Sequence, residues 1–427
     1  MNPARFVVVL LILMVSLLLA AGLVNVLVDP YDIFGMPRIK DFNAKKPAAD
    51  THTPMVKAFQ MERAAPRTVL FGTSRVDIGL DPGHTAWPPT AKPVYNYGYP
   101  GVSVEVILQQ LPHAAHAGPL RRAVVALEFH DFLSPQLSQP KEPNEIERRL
   151  KLLSDTESAT ARNAQRLNDA TSATLTLRAV IDSLDTVLRQ RGTSGGDVNE
   201  KGLTSEASFA RFARSDGYND LFTQTDLSIA KARDYAAHRL SGTLPTDFAE
   251  LVYVRSIIEF CRDRNIELYL FIPPYHADYL EIADAAGLWD RFEGLKLALV
   301  KLVEEYQGKE NSMPIALWDF ASYDGYTTEV VPVKGDLQTP LKWFWEPAHF
   351  KKALGDIMLS RMQGSDEYEF GVRLSSTSIS ERLADGRARR AVYRAANPGE
   401  VQRVAALIQS ARQARDRGLA KSAVAAR

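Results

Sequence analysis

A serine preceded by Gly72-Thr73 and a histidine that closes Glu346-Pro-Ala-His349 are the residues of this chain whose types and spacing could do chemistry. A serine hydroxyl is a poor nucleophile at neutral pH. It needs an imidazole to take its proton, and the imidazole needs a carboxylate to fix its tautomer and stabilise its charged form. Ser74, His349 and Glu346 supply one residue for each role. If the fold brings them together, the chain carries the parts of a serine-dependent acyl-group enzyme.

The elements that must position them can be read from apolar runs. Val69-Leu70-Phe71 reads as a buried strand ending in Gly72, which puts Ser74 at a carboxyl edge and at the first turn of a helix. Open α/β sheets bind ligands at that edge, and backbone N–H groups there could stabilise an oxyanion. The plain alternative is that Ser74 is only a helix cap. A second run, Val94 to Tyr97, leads into Asn96-Tyr97-Gly98-Tyr99-Pro100-Gly101. Gly101 lacks a Cβ, so its N–H could approach a bound oxygen, although Gly/Pro clusters are ordinarily strand-end turns. Further strands are expected at Ala123–Phe129, at Glu267–Ile272 before Pro273-Pro274, and at Pro314–Phe320. Helical periods at Val102–Leu111, Phe248–Arg264, Arg291–Tyr306 and Phe350–Met362 alternate with them. This alternation predicts a doubly wound, parallel α/β sheet of five strands. His349 is expected to open the last of these helices, with Glu346 in a tight turn before it.

Other residues are open to two readings. Trp343 and Trp345 flank Phe344 and suit stacking on sugar rings, or simply core packing. His276, in Tyr275-His276-Ala277-Asp278, could contact substrate or be structural. Arg75 and Asn96 sit inside the two motif loops and are expected to contact substrate as well. His113 and His116 read as a loose surface pair, and the eight histidines show no metal-ligand spacing. The one cysteine, Cys261, excludes an internal disulfide and a cysteine-based zinc site. Neither a metal nor a cofactor is expected. Net charge is +0 and the pI about 7.1, which leaves no nucleic-acid footprint.

The chain divides by composition. Residues 1–28 hold an uncharged run from Phe6 to Val28 whose length, roughly 34 Å as a helix, suits a membrane anchor. Leu19-Ala20-Ala21-Gly22 offers a weak signal-peptide site as the alternative, and a buried soluble helix is the third. Loop charges alone favour the opposite topology, because lysines and arginines follow the run. The acidic residues nearest it, Asp29 and Asp32, and the indifference of long domains to loop charge lead us to expect a short cytoplasmic N-terminus, with the bulk outside. Residues 29–65 read as a juxtamembrane stalk, and 66–365 as the α/β domain. Within it, 141–245 reads as a helical insertion acting as cap or lid, broken by glycine and serine at Gly192 to Gly196. Residues 366–427 read as a polar helical tail, either solvated or touching an anionic membrane surface.

Taken together, these blocks resemble the SGNH, or GDSL-like, hydrolases. Members place the nucleophilic serine after the first strand, as in Gly72-Thr73-Ser74-Arg75. Their second block is similar to Asn96-Tyr97-Gly98-Tyr99-Pro100-Gly101, whose last glycine donates to the oxyanion hole. Their last block, Asp-x-x-His, is similar to Glu346-Pro-Ala-His349. The resemblance covers about residues 66–362 without the insertion, and it implies a flavodoxin-like fold. Two positions depart from it. Glu346 stands for the usual aspartate, and Glu128-Phe129-His130-Asp131 stands where an oxyanion asparagine is usual, which leaves His130 as the candidate donor. With the apolar N-terminus, the chain resembles the bacterial envelope branch of this superfamily. That likeness implies an inner-membrane, single-pass protein with a periplasmic domain, acting as O-acetyltransferase or acetylesterase on an exported polysaccharide, as in alginate O-acetylation or teichoic-acid D-alanylation. A membrane acyl-donor protein is an implied partner. A non-catalytic polysaccharide-binding or assembly factor of the same fold is the rival, and a structural envelope protein is the third reading.

Overall fold

The computed structural model describes residues 3–137, 146, 149–150, 153–154, 157–191, 197–307 and 313–425. The expected break at Gly192 to Gly196 lies outside these residues. Helices α1 (Pro3–Val28) and α2 (Thr53–Ala64) precede strand β1 (Thr68–Phe71). Then come α3 (Ser74–Gly79), β2 (Val94–Asn96), α4 (Val104–Ala117) and β3 (Arg122–Ala126). Helices α5 (Ala159–Thr174), α6 (Leu177–Leu188), α7 (Ala207–Ser215), α8 (Tyr218–Arg239) and α9 (Leu251–Asp263) lead to β4 (Glu267–Ile272). Next are α10 (Ala277–Ala285), α11 (Trp289–Glu304) and β5 (Ile315–Asp319). A hairpin of β6 (Phe344–Glu346) and β7 (His349–Phe350) is followed by α12 (Lys352–Met362), β8 (Val372–Arg373), α13 (Ile379–Ala396) and α14 (Pro398–Ala425).

The chain forms two compact units. One comprises Met1–Pro66, Pro112–Pro119 and Pro143–Ser208; the other comprises Arg67–Leu111, Leu120–Glu142 and Phe209–Arg427. The expected insertion is therefore divided, its first part belonging to one unit and its second part to the other.

In the first unit, α1 is long and apolar enough to cross a membrane. The segment expected to be a stalk is folded. The Asp29 carboxylate accepts the N–H groups of Ile33 at 2.9 Å, Phe34 at 3.3 Å and Met36 at 3.2 Å. Lys46 Nζ donates to the carbonyls of Val28 and Asp29, both at 2.8 Å, and so caps the end of α1. Tyr31, Ile33, Ala49, Met55 and Val56 form a core with Ala173, Ala179 and Val198. Sequence reading missed this because the charged side chains, which suggested a solvated linker, are spent on local backbone groups and on each other. His113, expected at the surface, is buried, and burial pushes its titration down to about 3.

The second unit carries a mostly parallel sheet in the order β2-β1-β3-β4-β5-β8. Strands β1 to β5 pair in parallel, with β1 between β2 and β3. The chain therefore winds outward in both directions from β1, and the loops after β1, β2, β3 and β4 meet at one carboxyl edge. The sheet has six strands where five were expected. The sixth, β8, pairs antiparallel with β5 through Trp318–Arg373 and Asp319–Val372, too short a pairing to leave a periodic signal. The core lies between sheet and helices and includes Leu70, Val76, Phe271, Phe320, Phe344, Phe350, Leu354 and Met358.

The tail is not a solvated extension. Helices α13 and α14 dock through guanidinium–carboxylate pairs along the acidic residues of α8, α10, α11 and β5. Arg382 reaches Asp319 at 2.7 Å, Arg390 reaches Asp284 at 3.0 Å, and Arg415 reaches Asp234 at 2.8 Å. Arg403 bridges Asp226 at 2.7 Å and Asp278 at 2.6 Å. Val404, Ile408 and Ala411 are buried beneath these pairs.

Candidate active site

Ser74 is set by a turn with no room for side chains. A Cβ on Gly72 would lie 2.3 Å from Val76 Cγ2 and 2.9 Å from Ala126 Cβ, so only glycine lets β1 pass directly into α3. Thr73 is the extended N-cap of α3, and its hydroxyl donates to Glu128 Oε1 at 2.8 Å. The loop after β2 runs alongside: Tyr97 N–H donates to Leu70 O at 2.8 Å and Tyr99 N–H to Gly72 O at 3.0 Å. Gly98 permits this approach, because a Cβ there would sit 2.6 Å from the Asp77 amide nitrogen. Gly101 follows with φ of +72 and open space where a side chain would be.

His349 comes from the hairpin. It lies in β7 rather than at a helix start, and α12 begins only at Lys352. The structure brings the serine and the histidine together: Ser74 Oγ is 2.7 Å from His349 Nε2. His349 Nδ1 bonds to Glu346 Oε1, and the other Glu346 oxygen accepts the Ala348 N–H at 2.9 Å. Burial works to raise the Glu346 pKa, but the imidazole, the Ala348 N–H and Arg75 outweigh it and hold the carboxyl below its ordinary value. An ionised Glu346 keeps the ring proton on Nδ1 and leaves Nε2 to accept from Ser74 Oγ–H. Both Ser74 and His349 remain partly exposed, so the pair is open to a substrate.

Below the pair lies a buried ionic hub. Arg75 Nη1 bonds to Glu128 Oε2 at 2.7 Å, and its Nε donates to Ala348 O. Tyr275 OH donates to Glu128 Oε2 at 3.1 Å and accepts the Phe129 N–H at 3.0 Å. Its ring lies 5.2 Å from the Arg75 guanidinium. Burial opposes the Glu128 charge, yet Arg75 above all, with the Thr73 hydroxyl, holds its pKa down. One guanidinium thus ties the Ser74 turn, the end of β3 and the Glu346–His349 turn into a single unit. Sequence reasoning named Glu128 and Tyr275 within their blocks but gave them no role; a charged residue at the end of an apolar run was the available signal.

The other expected residues fall elsewhere. Arg75 was expected to touch substrate, but it is buried in the hub. Asn96 is buried, its amide donating to Val76 O at 2.7 Å and Leu80 O at 2.8 Å, so it braces α3. His276 caps α10 and bonds to Glu329 O at 2.8 Å, walled in by Phe222 and Phe344. Trp345 is buried, with the rings of Phe209 and Tyr218 stacked at 6.0 and 6.2 Å and Lys351 Nζ 4.1 Å from its own ring, so it belongs to the packing rather than to an open sugar platform. Trp343 is half-buried, with Tyr326 edge-on at 5.0 Å and Lys342 Nζ 4.3 Å from its ring. His130 lies in the short turn after β3, with its Nε2 3.3 Å from Asp131 Oδ1 and its Nδ1 4.0 Å from Glu128 Oε2. The surrounding protein pushes its titration down to about 4 against the pull of Glu128, which keeps the ring neutral at pH 7. Phe209, which sequence reading did not single out, lays its ring 5.2 Å from that of His349. Among the described residues, no group of His, Cys, Asp and Glu could hold a metal ion.

A hydroxyl, a singly protonated imidazole and an ionised carboxylate in series can generate a nucleophilic alkoxide and return the proton to a leaving group. No known family model matches this chain, and no curated protein matches it in sequence.

Proposed function

We propose that this protein is a membrane-anchored, serine-dependent acyl-group enzyme acting on an exported bacterial polysaccharide, with acetyl as the group moved or removed. The observation that carries the reading is the relay from Ser74 Oγ to His349 Nε2 at 2.7 Å, with Glu346 on the far nitrogen. Ser74 Oγ attacks the acyl carbonyl carbon as its proton passes to His349 Nε2. The tetrahedral oxyanion collapses, the carbon–oxygen bond to the donor breaks, and His349 gives its proton to that leaving oxygen. A sugar hydroxyl or water then gives its proton to His349 and attacks the acyl-serine; the acyl carbon–Oγ bond breaks, and His349 returns the proton to Ser74 Oγ. A sugar acceptor makes the protein an O-acetyltransferase, and water makes it an acetylesterase.

Several features support the SGNH-like reading. Strands β2-β1-β3-β4-β5 follow the flavodoxin-like order, and the reactive pair sits at their carboxyl edge. Gly101, just beyond the strand extension paired with Gly72, and the Ser74 amide are the assigned oxyanion donors. His130 is assigned as the third because it stands in the short turn after β3, where the resemblance puts an oxyanion donor. The length and composition of α1 support a membrane anchor; in this reading the membrane is the inner one and the second unit is periplasmic.

Acetyl content of the cell-surface polysaccharide, compared between wild type and Ser74→Ala, tests the proposal. A fall identifies a transferase and a rise an esterase. Unchanged acetyl content at normal protein level, with no fluorophosphonate labelling of the wild type, would overturn it in favour of a non-catalytic glycan-binding or assembly role.

A further inference from the structure

Helix α6 is inverted. Its inward face carries Ala179, Asp182, Ser183 and Thr186, all buried. Its outward face carries Leu177, Ile181, Leu184 and Leu188, of which Leu177 is 76% and Leu188 78% exposed. A helix folded against a core in water shows the opposite arrangement. The inward polar groups are bonded: Ser183 Oγ donates to Asn25 Oδ1 at 2.7 Å, and Tyr31 OH to Asp182 Oδ2 at 2.7 Å. Leu167 of α5 and Leu175, in the elbow Leu175-Thr176 that joins α5 to α6, are exposed too.

The elbow meets α1 inside its apolar run. A Cβ on Gly22 would lie 3.3 Å from Leu175 Cδ2, and Asn25 Nδ2 donates to Thr174 O at 2.8 Å. A bilayer core about 30 Å thick takes roughly 20 helical residues, which from Phe6 ends near Asn25. Leu23, Val24 and Leu27 of α1 are exposed at that height. Asn25 also accepts the Ser183 hydroxyl at 2.7 Å, so both the elbow and the middle of α6 meet α1 at the end of its apolar run. Within a membrane, helices turn polar groups toward protein and apolar groups toward lipid, which is the pattern here.

We infer that α6, with the leucines of its elbow, is an interfacial helix whose outward face seats in the acyl–headgroup boundary of the bilayer beside α1. This rests on α1 being a span. The cations of α6 are already engaged, Arg178 with Asp182 at 2.8 Å and Arg189 with Asp185 at 2.9 Å. Apolar burial rather than lipid charge drives the contact, so neutral phosphatidylcholine suffices.

The full chain in phosphatidylcholine bilayers provides the test. Single variants Val15→Cys, Ile181→Cys, Leu184→Cys and Lys201→Cys carry an environment-sensitive nitrobenzoxadiazole label, and Cys261 stays unlabelled because it is buried. Lipids bearing a nitroxide near the glycerol, or deep in the chain for position 15, are then added. Loss of emission is expected at 15, 181 and 184 but not at 201. Loss at 15 alone would overturn the interfacial helix and leave the span intact; no loss at any position would remove the span as well. Oxidative cross-linking of two Leu184→Cys chains in place of quenching would identify a second copy as the occupant and overturn the lipid assignment. Leu184→Asp in detergent is expected to keep the wild-type Tm, and a lowered Tm would show that the face packs on protein.

Discussion

His349 has one nitrogen on the Ser74 hydroxyl and the other on a carboxylate, and the buried Glu346 makes that orientation depend on its ionisation. Glu346→Gln removes the charge that holds the Nδ1 proton, so kcat is expected to fall by about 10²- to 10⁴-fold, the range for a disabled acid–base relay. The same change alters the pH dependence of stability. The folded-state pKa of Glu346 is depressed, so its contribution is fully present above the ordinary glutamate value of about 4.3 and is lost as pH falls through the lower folded value. The wild-type Tm is therefore expected to drop more steeply than that of Glu346→Gln below about pH 4.3, as differential scanning calorimetry between these acid conditions and neutrality would show. Parallel curves would mean that Glu346 is not ionised by its neighbours. The three relay residues were legible in the sequence because each role admits few residue types and two of them share a four-residue motif. Arg75 was misread because a motif cannot say whether a long cation points to solvent or into a hub made by β3 and β4.

At the scale of elements, the site depends on close approaches that only glycine allows. Gly98 brings the loop after β2 against the amide of Asp77 in α3, and Gly355 of α12 faces Gly79 O, where a Cβ would fall 1.8 Å away. Gly79 in turn receives the Phe350 ring from the hairpin that carries His349, with a Cβ there only 2.3 Å from Phe350 Cε2. Gly98→Ala must push α3 or the loop aside, at a cost of about 1–3 kcal/mol for an overpacked position. A shift of even 1 Å at Ser74 is expected to slow acylation about 10²-fold. Fluorophosphonate labelling rates and urea unfolding measure the two effects separately, and wild-type labelling in Gly98→Ala would show that this approach does not position Ser74. The strand and helix order could be read from periodicity. The sixth strand and the hairpin could not, since they are too short to repeat a pattern and exist only through their partners.

Over the whole molecule, the arginine-rich tail closes the second unit. Arg403 lies over two buried carboxylates, Asp226 and Asp278, that come from different helices. Arg403→Ala leaves Asp226 without its cation and Asp278 with only His276, 3.6 Å away, and the expected loss is on the order of 3 kcal/mol, at the low end for breaking a buried pair because the arginine itself is over a third exposed. Exposed pairs such as Arg389–Asp385 are expected to contribute no more than about 1 kcal/mol, so Arg389→Ala serves as the control in the same unfolding measurement. Equal effects would mean that the tail is held by its apolar face alone. What the sequence by itself determined is local. It determined the alternation of strand and helix, the uncharged N-terminal run and the residue types able to take a proton from serine onto an imidazole held by a carboxylate, because propensity, periodicity and side-chain chemistry act over a few neighbouring residues. Only the tertiary structure decided which charges were solvated and which were buried, that a lead-in and a tail were folded parts, and that Ser74 and His349 met. Those outcomes turn on contacts between segments far apart in the chain, whose free energy belongs to the pair and is written in neither segment alone.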